Sequence, residues 1–330
     1  MSISPNELAK ALSAAEHWAV HDPDPQTKNE AIGLINLVTL GEPSAEEAIV
    51  AQFGERLAFG TAGLRGEIGA GPSRMNKMVV MQTSAALAKW LWNRSELGSA
   101  SNPPSIVVGF DARTKSDVFA RAAAEVFMGA GLRTILLPGP LPTPLTAFAV
   151  KHLDVSAGVM ITASHNPPKD NGYKVFLGDS DCGSQIAAPA DQEISEIIEL
   201  IAANPVSEIP LETGYEFASN EIFDAYIDAF RNEWQAPKVE SDLTVVYTAL
   251  HGVGSTVTQR LFAELGLPKL HTVDSQDTPD GSFPTVSFPN PEEPGALDEA
   301  YSKAREVGAD LIIAHDPDAD RLAVALPDSE

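Results

Sequence analysis

Apolar residues along this chain fall into two kinds of pattern, helical stripes first and short continuous runs later. Leu8, Leu12, Ala15 and Ala19 recur at helical spacing and predict a helix over residues 6–20, which Pro23 and Pro25 break. Thr27-Lys28-Asn29-Glu30 has the form of a capping box and predicts a second helix through Ile32, Leu34, Ile35 and Val38, ended by Gly41. Ser44-Ala45-Glu46-Glu47 repeats that signal, and a longer helix is predicted from Val79 to Asn93.

From Ser105 onward the chain alternates short apolar runs with helical segments. Strands are predicted at 105–110 and 134–137, helices at 117–130 and 144–152, and a third strand, Ala157-Gly158-Val159-Met160-Ile161, leads into Thr162. Residues 242–326 repeat the scheme: strands at 243–247 and 270–273, helices at 255–265 and 296–307, and a third strand, Leu311-Ile312-Ile313-Ala314, leading into His315. Such alternation predicts two similar α/β units with mixed, mainly parallel sheets and right-handed crossovers. A Pro-containing linker over 204–214 places the boundary near residue 205, with units at 1–205 and 206–330 and a helical extension over 1–55. Phe283-Pro284-Thr285-Val286-Ser287-Phe288-Pro289-Asn290-Pro291 carries too much proline for a central strand and is expected to be an extended surface loop. His251 and Gly252 are expected to serve loop structure.

Each unit places a polar segment after its third strand and an apolar run after that segment. In the first, residues 162–174 run Thr-Ala-Ser-His-Asn-Pro-Pro-Lys-Asp-Asn-Gly-Tyr-Lys and precede Val175-Phe176-Leu177. Ser164 would sit where a sheet strand ends, the place at which open α/β sheets bind ligands. It lacks a Gly-x-Ser-x-Gly elbow, and the adjacent His165 is expected to diverge from it, which argues against a serine hydrolase. With Lys169 and Lys174 nearby, the hydroxyl suits a phosphoryl carrier better than an acyl carrier. Phosphoserine would bring about two negative charges and would need cations.

The second segment, His315-Asp316-Pro317-Asp318-Ala319-Asp320-Arg321, sets three carboxylates at alternate positions, able to converge on one hard cation. An EF-hand is excluded because Arg321 and Pro327 stand where that loop needs Gly and Glu. Asp320 likewise departs from the Thr or Val of the Asp-x-Asp phosphatase motif.

Together, Thr-Ala-Ser-His-Asn-Pro with Asn-Gly-Tyr-Lys and the later Asp-Pro-Asp-Ala-Asp-Arg resemble the α-D-phosphohexomutases, the phosphoglucomutases and phosphomannomutases. Further pieces agree: Phe59-Gly60-Thr61-Ala62-Gly63-Leu64-Arg65-Gly66, Gly109-Phe110-Asp111-Ala112-Arg113, Pro142-Thr143-Pro144 and Leu250-His251-Gly252-Val253-Gly254. The N-terminal extension is similar to that of the long-form branch, which includes phosphopentomutases and sugar-bisphosphate synthases. The resemblance implies a phosphosugar mutase that moves phosphate between C1 and C6 of a hexose phosphate through a phosphoserine at Ser164 and a bisphosphate intermediate. It implies one Mg2+ held by Asp316, Asp318, Asp320 and the Ser164 phosphate, and a sugar bisphosphate as activator. Arg65, Asn166, Lys174 and Arg321 would bind phosphate, His165 would assist beside Ser164, and Lys174 would transfer a proton or act by charge alone. Family members continue beyond residue 330 with a sugar-selecting unit and a distal-phosphate domain. On that expectation these residues hold metal but turn over poorly. A metal-dependent phosphatase using Asp316 and a non-catalytic phosphosugar-binding module stay open beside the mutase, as do glucose, mannose and ribose phosphates and the oligomeric state.

Charge sharpens the picture. The net charge of −24 argues against nucleic acid and anionic membrane as partners, so an anionic phosphosugar must meet locally concentrated cations. Arg65, Arg74, Lys77, Lys169, Lys174 and Arg321 lie in or beside the candidate loops. Cys182 has no second cysteine to pair with, and the N-terminal residues lack a signal-peptide pattern, so a reducing cytoplasm is expected.

Overall fold

A computed structural model describes residues 3–97, 103–234 and 242–327. Three helices come first: α1 (Pro5–His21), α2 (Pro25–Thr39) and α3 (Pro43–Phe53). Each begins with proline in its first turn, where the missing N–H costs nothing. A capping box does form, between Ser4 and Glu7 on α1. The one expected at Thr27 does not: Asp24 caps α2, and Thr27 lies inside that helix with its hydroxyl donating to Asp22. Helix α3 starts at Pro43 with no side-chain cap, so the signal at Ser44 fails too. In both cases proline sets the first turn ahead of the serine or threonine.

The first unit continues with β1 (Leu64–Glu67), α4 (Lys77–Glu96), β2 (Ser105–Phe110), α5 (Ser116–Gly129), β3 (Arg133–Pro140), α6 (Thr143–His152), β4 (Ala157–Ile161) and β5 (Asp170–Leu177). Short β6 (Ser184–Gln185), α7 (Ala190–Ala202) and β7 (Glu216–Phe217) follow. Its sheet runs β1-β5-β4-β2-β3-β7, with β6 beside β5. Strands β4, β2, β3 and β7 are parallel, and β5 alone runs antiparallel, to β4 on one side and β1 on the other. Because β7 adds to this sheet, chain beyond residue 205 still serves the first unit. Every residue of β4 is buried, which is why its sequence is a continuous apolar run.

The second unit comprises α8 (Glu221–Glu233), β8 (Val245–Thr248), α9 (Ser255–Leu265), β9 (Leu270–Thr272), α10 (Asp298–Val307), β10 (Leu311–His315) and β11 (Leu322–Ala325). Its sheet order, β11-β10-β8-β9, repeats the β5-β4-β2-β3 segment of the first sheet, with the same single antiparallel return. The two expected α/β units are therefore present as one wiring scheme used twice.

Two sequence expectations need correction. Residues 170–174 are strand rather than loop: Lys174 pairs with Met160 and Gly172 with Arg65, so the polar segment shortens to 162–169. Hydrogen bonds from strands on both sides hold these residues extended in spite of their polarity. Residues 283–291 are non-strand as expected, but they are no plain surface loop, since Phe283, Val286 and Asn290 are buried. The Phe283 ring covers the Arg113 guanidinium of the first unit, 5.0 Å from its centre.

Helices α1–α3 share one apolar core with α4. Ala11, Ala15, Trp18, Ile49 and Phe53 pack into the cluster that contains Met78 and Met81. The extension is thus an integral layer of the first unit.

Candidate active site

Sheet register explains how the two polar segments come together. Strands β2 and β4 end level, with Phe110 opposite Ile161, so Asp111-Ala112-Arg113 and Thr162-Ala163-Ser164 leave the same edge. In the second sheet Thr248 stands opposite Ala314, so Leu250-His251-Gly252 and His315-Asp316 leave together. Each unit offers its carboxyl-terminal strand ends to the other.

Ser164 is buried and has a left-handed backbone, φ 56°. Its N–H donates to the Thr162 hydroxyl at 2.8 Å. Its Oγ lies 3.0 Å from Asp316 Oδ2 and 3.5 Å from Asp320 Oδ1, across the boundary between the units. His165 Nδ1 is 3.4 Å from the same Oγ, so the two side chains do not diverge. Left-handed φ at Ser164 turns the chain and returns the imidazole toward the hydroxyl. Burial, then the positive charges of Arg321 and Arg65, hold His165 below the usual imidazole range.

Asp316, Asp318 and Asp320 present carboxylate oxygens within 4.8 Å of one another. Lys174, almost fully buried, donates to Asp318 at 2.7 Å and to Asp320 at 2.6 Å. Burial alone would lower the pKa of this lysine, but the two carboxylates outweigh it and raise the value. Burial also opposes charge on Asp318, and Lys174 and Thr143 outweigh it to keep that carboxylate ionised. Asp316 is pushed the other way, by burial and then by Asp318 and Asp320. One ammonium therefore does not neutralise the three acids. Among the described residues Asp318 Oδ1, although buried, has no hydrogen-bond partner.

These observations fit a hard divalent cation. The donor set is wholly oxygen, which suits magnesium or manganese better than zinc or copper. The orphaned Asp318 oxygen is a polar atom awaiting a ligand.

Two residues that sequence reasoning left without a role build the site. Arg113, buried, donates to the carbonyls of Ser164 at 2.6 Å, Asn166 at 2.8 Å, Pro167 at 2.9 Å and Asp170 at 3.2 Å. Its planar fork thereby sets the path of the serine loop, and Asp111 stands 3.4 Å from its Nε. Thr143, at the start of α6, gives its hydroxyl to Asp318 Oδ2 at 2.5 Å and its N–H to the Asp318 carbonyl at 2.9 Å. The available signal was position: both follow directly on strand ends that point toward Ser164.

The remaining expected residues are placed as follows. Arg65 lies on β1 opposite Gly172, with a buried Nε that has no hydrogen-bond partner among the described residues. Gly63 lets β1 approach, because a Cβ there would lie 1.8 Å from the Tyr173 carbonyl. The Asn166 amide is turned into its own loop, donating to Asp170 at 2.9 Å. Arg321 gives its backbone N–H to Asp316 at 3.0 Å, and its residue is exposed. Arg74 faces Glu67 at 3.4 Å rather than the serine loop. His251 and Gly252 are structural: Val253 N–H binds the Pro317 carbonyl at 2.8 Å, and a Cβ on Gly252 would lie 2.3 Å from that oxygen. They buttress the acidic loop from behind.

An α/β duplicate that sets a buried serine against an acidic trio is the class of site these loops define. Comparison with known proteins agrees. A family model described as phosphoglucomutase/phosphomannomutase, alpha/beta/alpha domain I, matches residues 56–204, and its domain II counterpart matches residues 224–329. The chain belongs to the phosphoglucomutase/phosphomannomutase family. It is 49% identical over 256 residues to the Haemophilus influenzae protein named "Probable phosphomannomutase", covering 78% of this chain and 51% of that one. It is 39% identical over 295 residues to the phosphopentomutase of Homo sapiens, covering 83% and 46%. A crystal structure of a phosphoglucomutase/phosphomannomutase family protein from Burkholderia thailandensis superposes with a TM-score of 0.64 at 26% identity, covering 82% of this chain and 54% of that one. The chain thus spans about half the length of the curated relatives it matches.

Proposed function

We propose that this chain carries the phosphoryl-transfer centre of a phosphosugar mutase acting on a hexose phosphate, with Ser164 as phosphoryl carrier. The observation that carries the reading is the 3.0 Å approach of Ser164 Oγ to Asp316. A hydroxyl of one unit and the acids of the other form a single centre. Phosphate on Ser164 would pass to a free hydroxyl of a sugar monophosphate, giving a bisphosphate. That bisphosphate, reversed, would return its other phosphate to Ser164, regenerating the carrier.

Asp316, Asp318, Asp320 and a phosphoserine oxygen would hold Mg2+. The ion would supply positive charge where the phosphoryl group is transferred, since loose phosphoryl-transfer transition states depend mainly on positioning and charge. Phosphoserine and three aspartates amount to about −5 against +2, so protein cations are also required. Lys174 is buried beside two of the acids and carries a proton at Nζ, so in this arrangement it serves as charge partner and acid rather than base. The unpartnered Arg65 Nε is a free donor for a substrate phosphate. His165 binds the same phosphate beside Ser164. Arg113 and Thr143 hold the two loops in register and touch no substrate. Acidic charge elsewhere serves solubility in the cytoplasm.

A pentose phosphate is the second reading. It is favoured by the Schizosaccharomyces pombe protein named "Probable phosphoribomutase", 39% identical over 328 residues and covering 94% of this chain. The test is intact-mass analysis after incubation with a hexose or pentose bisphosphate and Mg2+. One phosphate on Ser164, absent from Ser164→Ala, is the expected result. Labelled phosphate on Asp316 with none on Ser164 would replace the mutase reading by an aspartyl phosphatase.

A further inference from the structure

A cavity whose lining includes none of the serine-centre residues lies where α1 meets the chain that leads into β1. Its volume is about 570 Å³, within the usual range for small-molecule sites. Lys10, His17 and His21 line it from one stripe of α1, at i, i+7 and i+11, and Arg56 faces them. The His17 and His21 rings lie 4.6 Å apart, centre to centre. Trp18 and Met78 supply apolar wall.

In a chain with 46 acidic residues against 22 lysines and arginines, no carboxylate among the described residues lines this cavity, although Glu7 and Glu55 line the adjoining cavity that shares Lys10 and Arg56. Its basic side chains are poorly matched. Among the described residues, Lys10, His17 and His21 make no ion pair. Arg56 is mostly buried, yet its nearest acid is Glu199, 3.5 Å from Nε and largely in solvent. Its Nη1 donates to Gln82 at 2.9 Å, a neutral partner. Burial works against this guanidinium, and Glu199 offsets that only in part. Asp22, the acid next in sequence, is spent on the Trp18 indole and Thr27.

We propose that the cavity bounded by Lys10, His17, His21 and Arg56 is a binding site for a small phosphate-bearing anion, separate from the serine centre. A guanidinium with lysine and imidazole donors around it matches a phosphate group. The volume leaves space for a sugar-sized body beside the apolar wall. The site also touches the candidate active-site segment through the chain: Arg56 precedes Leu57, whose N–H binds the Pro72 carbonyl at 2.9 Å and whose side chain packs against Gly66, next to Arg65.

The test is a titration of the 330-residue protein with inorganic phosphate, followed through the imidazole resonances of His17 and His21 by NMR. His17→Gln and His21→Gln assign the two signals. Saturable shifts at both rings are expected, unchanged in Ser164→Ala and weakened about tenfold or more in Arg56→Gln, the loss expected for a charged hydrogen bond. Exposed Lys10→Gln is the second variant, expected to weaken binding without disturbing the fold. Ribose 5-phosphate in place of phosphate distinguishes the sources. Tighter binding supports a site that reads an ester, and equal binding supports a site that reads phosphate alone. Absence of saturable shifts at His17 and His21, or equal shifts with chloride, would overturn the proposal. So would unchanged affinity in both Arg56→Gln and Lys10→Gln.

Discussion

The guanidinium of Arg113 donates to the carbonyl oxygen of Ser164 at 2.6 Å, and to three more carbonyls of the same loop. The nucleophile candidate is thus held through its backbone, leaving its hydroxyl free to face Asp316. Arg113→Lys keeps a charge but has no planar fork to span four acceptors. We expect a lower melting temperature and phosphate uptake at Ser164 slowed about tenfold or more, with the positioning loss read as a rate. Arg113→Met, which also strands Asp111, should cost about 3–5 kcal/mol in denaturant unfolding.

Thr143 is tied to Asp318 by both its hydroxyl and its backbone N–H. Thr143→Val removes the first tie and keeps the shape, so unfolding stability should fall by about 1.5–3 kcal/mol, as for a hydrogen bond to a charged group. Thr143→Ser should restore most of it. Equal losses in both variants would assign the effect to packing.

Three acids facing one lysine should respond to added cation. Magnesium at 100 times its dissociation constant should stabilise the protein by about 2.7 kcal/mol. Asp320→Asn relieves repulsion with Asp316 but takes one of its two carboxylates from buried Lys174, and should lose the magnesium response. Thermal unfolding with and without MgCl2 reads both.

His251 is buried, with its Nε2 2.8 Å from the Thr285 hydroxyl, and burial lowers its pKa. The unfolded chain then binds a proton more readily than the folded one. Its contribution to stability is present above the ordinary imidazole pKa of about 6.5 and is lost as pH falls through that value toward the folded one. Denaturant midpoints from pH 8 to 5 should decline less steeply in His251→Gln.

Gly252 packs directly on the Pro317 carbonyl. Gly252→Ala must push the acidic loop outward, at a cost of about 1–3 kcal/mol. Magnesium affinity should weaken along with stability. Calorimetric titration would show whether the two losses go together.

Much of this arrangement was legible in the chain. The third strand of each unit announced itself as an apolar run, fully buried in β4 and alternately buried and half-buried in β10, and each placed its polar segment at the carboxyl end of its sheet. Asp316, Asp318 and Asp320 read as a cation site because alternate carboxylates crowd onto a strand end. Other features were hidden by context. Asp170 to Lys174 look like loop residues, but β1 and β4 on either side supply hydrogen bonds that hold them extended. Phe283 lies in a proline-rich stretch and is buried by a guanidinium from another unit, which no local pattern reports. Arg113 and Thr143 act on atoms 51 and 175 residues away in sequence. Thr27 had the right neighbours for a cap, yet proline two positions earlier had already begun the helix.

The acids of the second unit have their counter-charge on the first, because Lys174 belongs to β5 and Asp318 to the turn after β10. A polypeptide cut between the units would leave the trio without its lysine and Lys174 without its two carboxylates. Affinity for a divalent ion would therefore report on how the two halves are assembled, and any motion that swings them apart would loosen a bound ion and uncover the serine in the same stroke.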